Sequence, residues 1–95
     1  MLIEKIELEH GTAIGLSYQL QKAPLILINA DRGFVMCGYL DLETATMLGD
    51  VAVKVKGVKT FEDVLKAPVV GATPSAISLG VKLGMTGKEA LELMF

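Results

Sequence analysis

Gly33-Phe34-Val35-Met36-Cys37-Gly38-Tyr39-Leu40-Asp41 decides how this chain folds. Phe34 to Cys37 form an apolar run with no polar face, the pattern of a strand covered on both sides. Gly38 marks the exit. Asp41 is a good N-cap for a helix carrying Leu42, Ala45 and Leu48 on one face, and Gly49 ends it. A buried strand running into a capped helix is the unit from which mixed α/β sheets are built.

Upstream, Pro24 opens a second continuously apolar run, Leu25-Ile26-Leu27-Ile28. Asp31-Arg32-Gly33 between the two runs has hairpin chemistry, with Gly33 suited to a left-handed bulge position. The pair from Leu25 to Leu40 is expected at the centre of the sheet. Earlier still, Leu2, Ile6 and Leu8 alternate with Lys5, Glu7 and Glu9. After a tight turn at His10-Gly11, Ile14, Leu16, Tyr18 and Leu20 alternate with Ala13, Gly15, Ser17 and Gln19. This predicts an amphipathic hairpin over residues 1–22. A two-stranded ribbon is marginal by itself, so its apolar face must pack on the domain or on another subunit.

Downstream, short strands alternate with capped helices. Strands are expected at Val51–Val55 and Pro68–Gly71. Helices are expected after Thr60, after Thr73-Pro74, and after the Thr86-Gly87-Lys88-Glu89 capping box. The expected fold class is α+β: N-terminal antiparallel strands, then alternating short strands and helices on a mixed sheet. One domain spans 1–95, with 23–95 as its core.

Composition sharpens this picture. Apolar residues make up 52% of the 95, and exchanging two Tyr for ten Gly raises the share to about 60%, against roughly 45–50% in an average domain. So small a domain has too little interior for that excess, and self-association is the commonest way to cover it. No apolar run approaches the roughly 18 residues of a membrane span. The N-terminus lacks the apolar stretch of a secretion signal, and a single cysteine suits a reducing cytoplasm. With 9 basic and 11 acidic residues, no strong field for nucleic acid or anionic lipid is expected. Lys54, Lys56 and Lys59, the densest basic cluster, read as a solvated edge.

Three segments carry a resemblance: Gly33 to Leu40, Lys22-Ala23-Pro24-Leu25, and Gly57-Val58-Lys59-Thr60-Phe61-Glu62-Asp63. Together they resemble the YunC-like family, small bacterial and archaeal proteins with a domain of unknown function. Met36-Cys37-Gly38-Tyr39-Leu40 is the most specific element. The resemblance implies that the N-terminal β region is a tetramerisation element, making the protein a homotetramer through residues 2–20. It implies no activity and supplies no catalytic residue.

The candidate ligand site is the edge of the sheet at the strands' carboxyl ends. If the strands ending near residues 40, 55 and 71 are parallel neighbours, the helix starts at Asp41, Thr60 and Thr73 share that edge. Cys37, Gly38, Asp41, Gly71 and Thr73 would then line it, as ligands line open α/β sheets. The plain alternative is a set of short loops capped for stability. Cys37 is either a small buried hydrophobe or a reactive thiol, with Asp41 as a second catalytic candidate. His10, the only histidine, has no sequence reason to reach Cys37. Asp41 and Glu43 are explained by helix capping as readily as by acid–base work. One His, one Cys and no carboxylate cluster name no metal, and nothing names a cofactor. Two functional readings follow: a homo-oligomeric module binding a small ligand or protein partner, or a small enzyme or thiol-dependent binder using Cys37.

Overall fold

A computed structural model describes residues 1–95. The elements run β1 (Leu2–Glu7), β2 (Thr12–Gln19), β3 (Pro24–Asn29), β4 (Phe34–Met36), α1 (Leu42–Leu48), β5 (Ala52–Lys54), α2 (Phe61–Lys66), β6 (Gly71–Ala72), α3 (Pro74–Ser78) and α4 (Gly87–Glu92). The strands form one six-stranded sheet in sequential order. Only β4 and β5 are parallel; every other neighbouring pair is antiparallel. The architecture is α+β, as expected, with β3 and β4 at its middle.

The helices begin where capping chemistry places them. Asp41, Thr60, Thr73 and Thr86 each accept a backbone N–H of the first turn, and Thr86 with Glu89 completes a reciprocal box. Gly49, with φ of 79°, closes α1 in the left-handed conformation. Gly33 departs from the bulge expected of it. It has no positive φ. A Cβ there would lie 2.6 Å from the Val51 carbonyl oxygen, so the residue is small because β5's entry crosses it.

The faces of the sheet differ. Ile26, Ile28, Val35, Cys37, Val53 and Val55 point inward, into one core with residues of α2, α3 and α4 such as Val64, Ala76 and Leu91. On the outer face a smaller cluster joins Met36 and Ala52 to Ala45 of α1, which crosses between the two parallel strands. The outer face of β1 to β3 has no helix over it. There the register aligns Ile3, Leu16 and Leu27 in a row that ends at Met36.

The hairpin therefore presents its bulky face outward. Ala13 and Gly15 are buried, and a Cβ on Gly15 would collide with the Phe61 ring at 2.6 Å. Phe61 occupies the space that small residues leave. Ile14, Tyr18 and Leu20 are instead 38% to 49% exposed, and Ile3 is 61% exposed. The apolar residues expected to share one face are divided: Ile6 and Leu8 pack on the chain's own core, while Ile14, Leu16, Tyr18 and Leu20 face away from it.

Two expectations about the edge are corrected. β6 is the two residues Gly71–Ala72 rather than 68–71, with Pro68 forming only an isolated bridge to Thr86. Because β6 runs antiparallel to β5, the chain reaches Thr73 at the end of the sheet where β5 begins. The start of α3 thus lies opposite the exits of β4 and β5. The three helix starts do not share an edge.

Candidate functional site

The exit of β4 is shaped by one residue. Cys37 N–H donates to the Ile26 carbonyl at 3.1 Å, extending the antiparallel ladder a step past β4. A regular pair would return the bond from Ile26 N–H to the Cys37 carbonyl. That carbonyl instead accepts Leu40 N–H at 3.3 Å and closes a turn, while Ile26 N–H donates to Cys37 Sγ at 3.4 Å. The thiol takes over as acceptor, and the chain is free to leave the sheet.

Beside this turn lies a cavity of about 280 Å³. Its buried lining is Pro24, Cys37 and Val58; Gly38, Tyr39 and Lys59 line it with exposed surface. The walls come from the start of β3, the exit of β4, and the turn from β5 into α2. Gly57 makes that turn with φ of 71°, a conformation that costs other residues strain. Lys59 is set by the next turn: its N–H donates to Asp63 Oδ2 at 3.1 Å, and Asp63 N–H donates to Thr60 Oγ1 at 3.0 Å. The molecule's ion pairs are His10–Glu92 and Lys66–Glu62, so the Lys59 ammonium has no carboxylate partner.

The five residues predicted to share a ligand site separate into several places. Cys37 and Gly38 line the cavity together. Asp41 lies in a different groove at the foot of α1, near Phe34 and Leu48. It accepts Glu43 and Thr44 N–H at 3.2 Å each. The Thr44 hydroxyl foremost, with the Glu43 and Thr44 amides and nearby Lys54, holds its carboxyl below the ordinary value against the opposing effect of desolvation. An ionised cap is no general acid, and Asp41 is not beside Cys37's cavity. Gly71 packs under Leu42, which a Cβ would meet at 2.8 Å.

Thr73, at the opposite end of the sheet, is the only buried polar residue. Its hydroxyl accepts from Ala52 N–H at 3.1 Å and Ala76 N–H at 3.2 Å and donates to Asp50 O at 2.7 Å. Nothing is left over for a ligand. Its task is to weld β5's entry to α3.

A second constellation is invisible in the sequence because its members lie 82 positions apart. Glu92 of α4 accepts Glu9 N–H and His10 N–H at 3.0 Å each, and its carboxylate lies 2.9 Å from His10 Nδ1. Burial works to raise the Glu92 pKa, but the bonds from the His10 ring and the two amides outweigh it, leaving the carboxyl below its ordinary value. Both oxygens are engaged in tying the hairpin tip to α4. Glu9, His10 and Glu92 do bring three side chains of metal-ligating type, two carboxylates and an imidazole, within 4.8 Å, a grouping the spacing of residues did not disclose.

Pro24, Tyr39, Val58 and Lys59 are cavity residues that site reasoning from sequence missed. A signal was present: the three segments carrying the family resemblance are the three that converge on this cavity.

Comparisons with known proteins agree on kinship and are silent on chemistry. Residues 36–94 match the model of a domain of unknown function, DUF1805. The chain is 38% identical over 90 residues to the uncharacterized protein YunC of Bacillus subtilis (strain 168), covering 90% of this chain and 87% of that protein. It is also similar to the crystal structure of a protein of unknown function, TA1206 from Thermoplasma acidophilum. That likeness has a TM-score of 0.94 at 36% identity, over 99% of this chain and 92% of the other. The chain therefore belongs to the YunC-like family of DUF1805 proteins.

Proposed function

We propose that the protein is a homo-oligomeric module that binds a small ligand in the cavity between the β4 exit and the β5–α2 turn. The observation that carries this reading is the cavity's position. It sits at the carboxyl ends of the parallel strands β4 and β5, where open α/β sheets take their ligands. Its lining is mostly apolar with few polar groups, which is the usual make-up of small-molecule sites.

Binding is favoured over catalysis because the one histidine lies far from Cys37. Register places the β1–β2 turn beside the carboxyl end of β3, whereas the cavity lies at β3's start. His10 is therefore at the far end of the sheet, held by Glu92. Oligomerisation is supported by the uncovered outer row of β1 to β3, with a second copy as its cover. The free edge of β1 carries Glu4, Lys5 and Glu7, charges that discourage edge-to-edge pairing and leave the face as the docking surface. The proposed compartment is a reducing cytoplasm.

The ligand claim is tested by native mass spectrometry of freshly purified wild type and Gly38→Leu. Gly38 has no positive φ, and a Cβ there meets nothing within 4 Å, so a side chain can leave the backbone there without strain, and a thermal melt of the variant checks that it folds. A small-molecule adduct on the wild type, lost in Gly38→Leu, is expected. An adduct retained by the variant would move the site elsewhere.

One observation favours a second reading, a cysteine-dependent enzyme or binder: Cys37 is among the residues that line the cavity. Native-state labelling decides it. A thiol that reacts only after unfolding, as its 3% exposure favours, ends that reading.

A further inference from the structure

We infer that the ligand of this cavity is a small carboxylate with an apolar body, its acid group at Lys59 and its hydrocarbon against Pro24, Cys37 and Val58. The inference rests on the binding reading above and names its ligand class.

Charge complementarity carries it. Lys59 is exposed, lines the cavity and has no carboxylate partner. Asp63 Oδ2 accepts the Lys59 amide, and Glu62, which with Lys59 and Glu4 lines a neighbouring groove, pairs with Lys66. Beside this charge the buried lining is Pro24, Cys37 and Val58, with no carboxylate. A cation beside an apolar lining discriminates against neutral hydrocarbons, which gain nothing from the charge, and against cations, which it repels. The basic cluster of the sequence, which otherwise reads as a solvated edge, thereby gains a task through Lys59.

The test is an amide-resolved NMR titration of the full chain with hexanoate and, separately, with 1-hexanol. Wild type, Lys59→Met and Gly38→Leu are compared. Hexanoate is expected to shift the Gly38, Tyr39, Gly57 and Val58 amides, with hexanol binding about tenfold more weakly. Lys59→Met, which keeps the aliphatic stem, should abolish the difference between the two probes. Gly38→Leu should abolish both sets of shifts while leaving the melting temperature unchanged. Equal binding of hexanol and hexanoate by wild type overturns the carboxylate assignment and leaves the binding reading standing. A preference for hexanoate that survives Lys59→Met also overturns it, because the charge then acts from elsewhere. Cavity amides unmoved by either probe overturn both the inference and the binding reading.

Discussion

The backbone N–H of Ile26 donates to the Sγ of Cys37 across 3.4 Å, at the rung where a ladder carbonyl would otherwise stand. Both residues are buried, so this donor has no water to fall back on. Cys37→Ala should destabilise the protein by about 1–3 kcal/mol in urea unfolding, the cost of an orphaned buried donor. Cys37→Ser, which keeps an acceptor, should lose less. An alanine variant as stable as wild type would show that the thiol is only a space-filler.

Thr73 makes the complementary prediction at the other end of the sheet. Thr73→Val keeps the shape but strands two N–H donors and a carbonyl. A loss of about 2–4 kcal/mol is expected, with Thr73→Ser close to wild type. The readout is the denaturation midpoint of each variant, at unchanged slope.

Gly87 and Gly38 should respond oppositely to alanine. A Cβ on Gly87 would lie 2.1 Å from the Val64 carbonyl oxygen, where α4 crosses α2. Overpacking there should cost about 3 kcal/mol or prevent folding. Gly38 has open space and no positive φ, so Gly38→Ala should be neutral or raise stability by roughly 0.4–1 kcal/mol. Thermal melts of the two variants settle this.

The clamp between α4 and the hairpin tip makes stability depend on acid. Glu92 has a carboxyl held below its ordinary 4.5, so its contribution is complete above that pH and is lost as pH falls through the lowered value. Asp41 and Glu89 are shifted the same way by their caps and share the loss. Urea unfolding from pH 7 to pH 3 should show stability declining below about pH 4.5. Glu92→Gln should be less stable at neutral pH and show a shallower decline. An unchanged acid slope would remove Glu92 from the account.

What the sequence disclosed follows from the range of the forces involved. Caps at Asp41, Thr60, Thr73 and Thr86 are local chemistry and were legible residue by residue. The central β3–β4 pair was legible from continuous apolarity. The direction of β6 was not, because two residues, Gly71 and Ala72, carry no periodicity to read. That misreading placed Gly71 and Thr73 beside Cys37. The hairpin's buried face was hidden for another reason: β2 buries Ala13 and Gly15 because Phe61 fills the gap, a contact 46 positions distant from Gly15. Of the site, Cys37 and Gly38 were found through the strand exit. Lys59 was noted only as a surface charge, since the turn at Gly57 that brings it to the cavity is a tertiary fact.

The central claim is that copies of this chain cover the outer face of β1 to β3 and carry a ligand with them. Native mass spectrometry at micromolar concentration, on wild type beside Leu16→Glu, tests it most directly. The account predicts a wild-type mass that is a multiple of 10.1 kDa plus a bound small molecule, and a single chain for the variant. A bare 10.1 kDa monomer from wild type would contradict it.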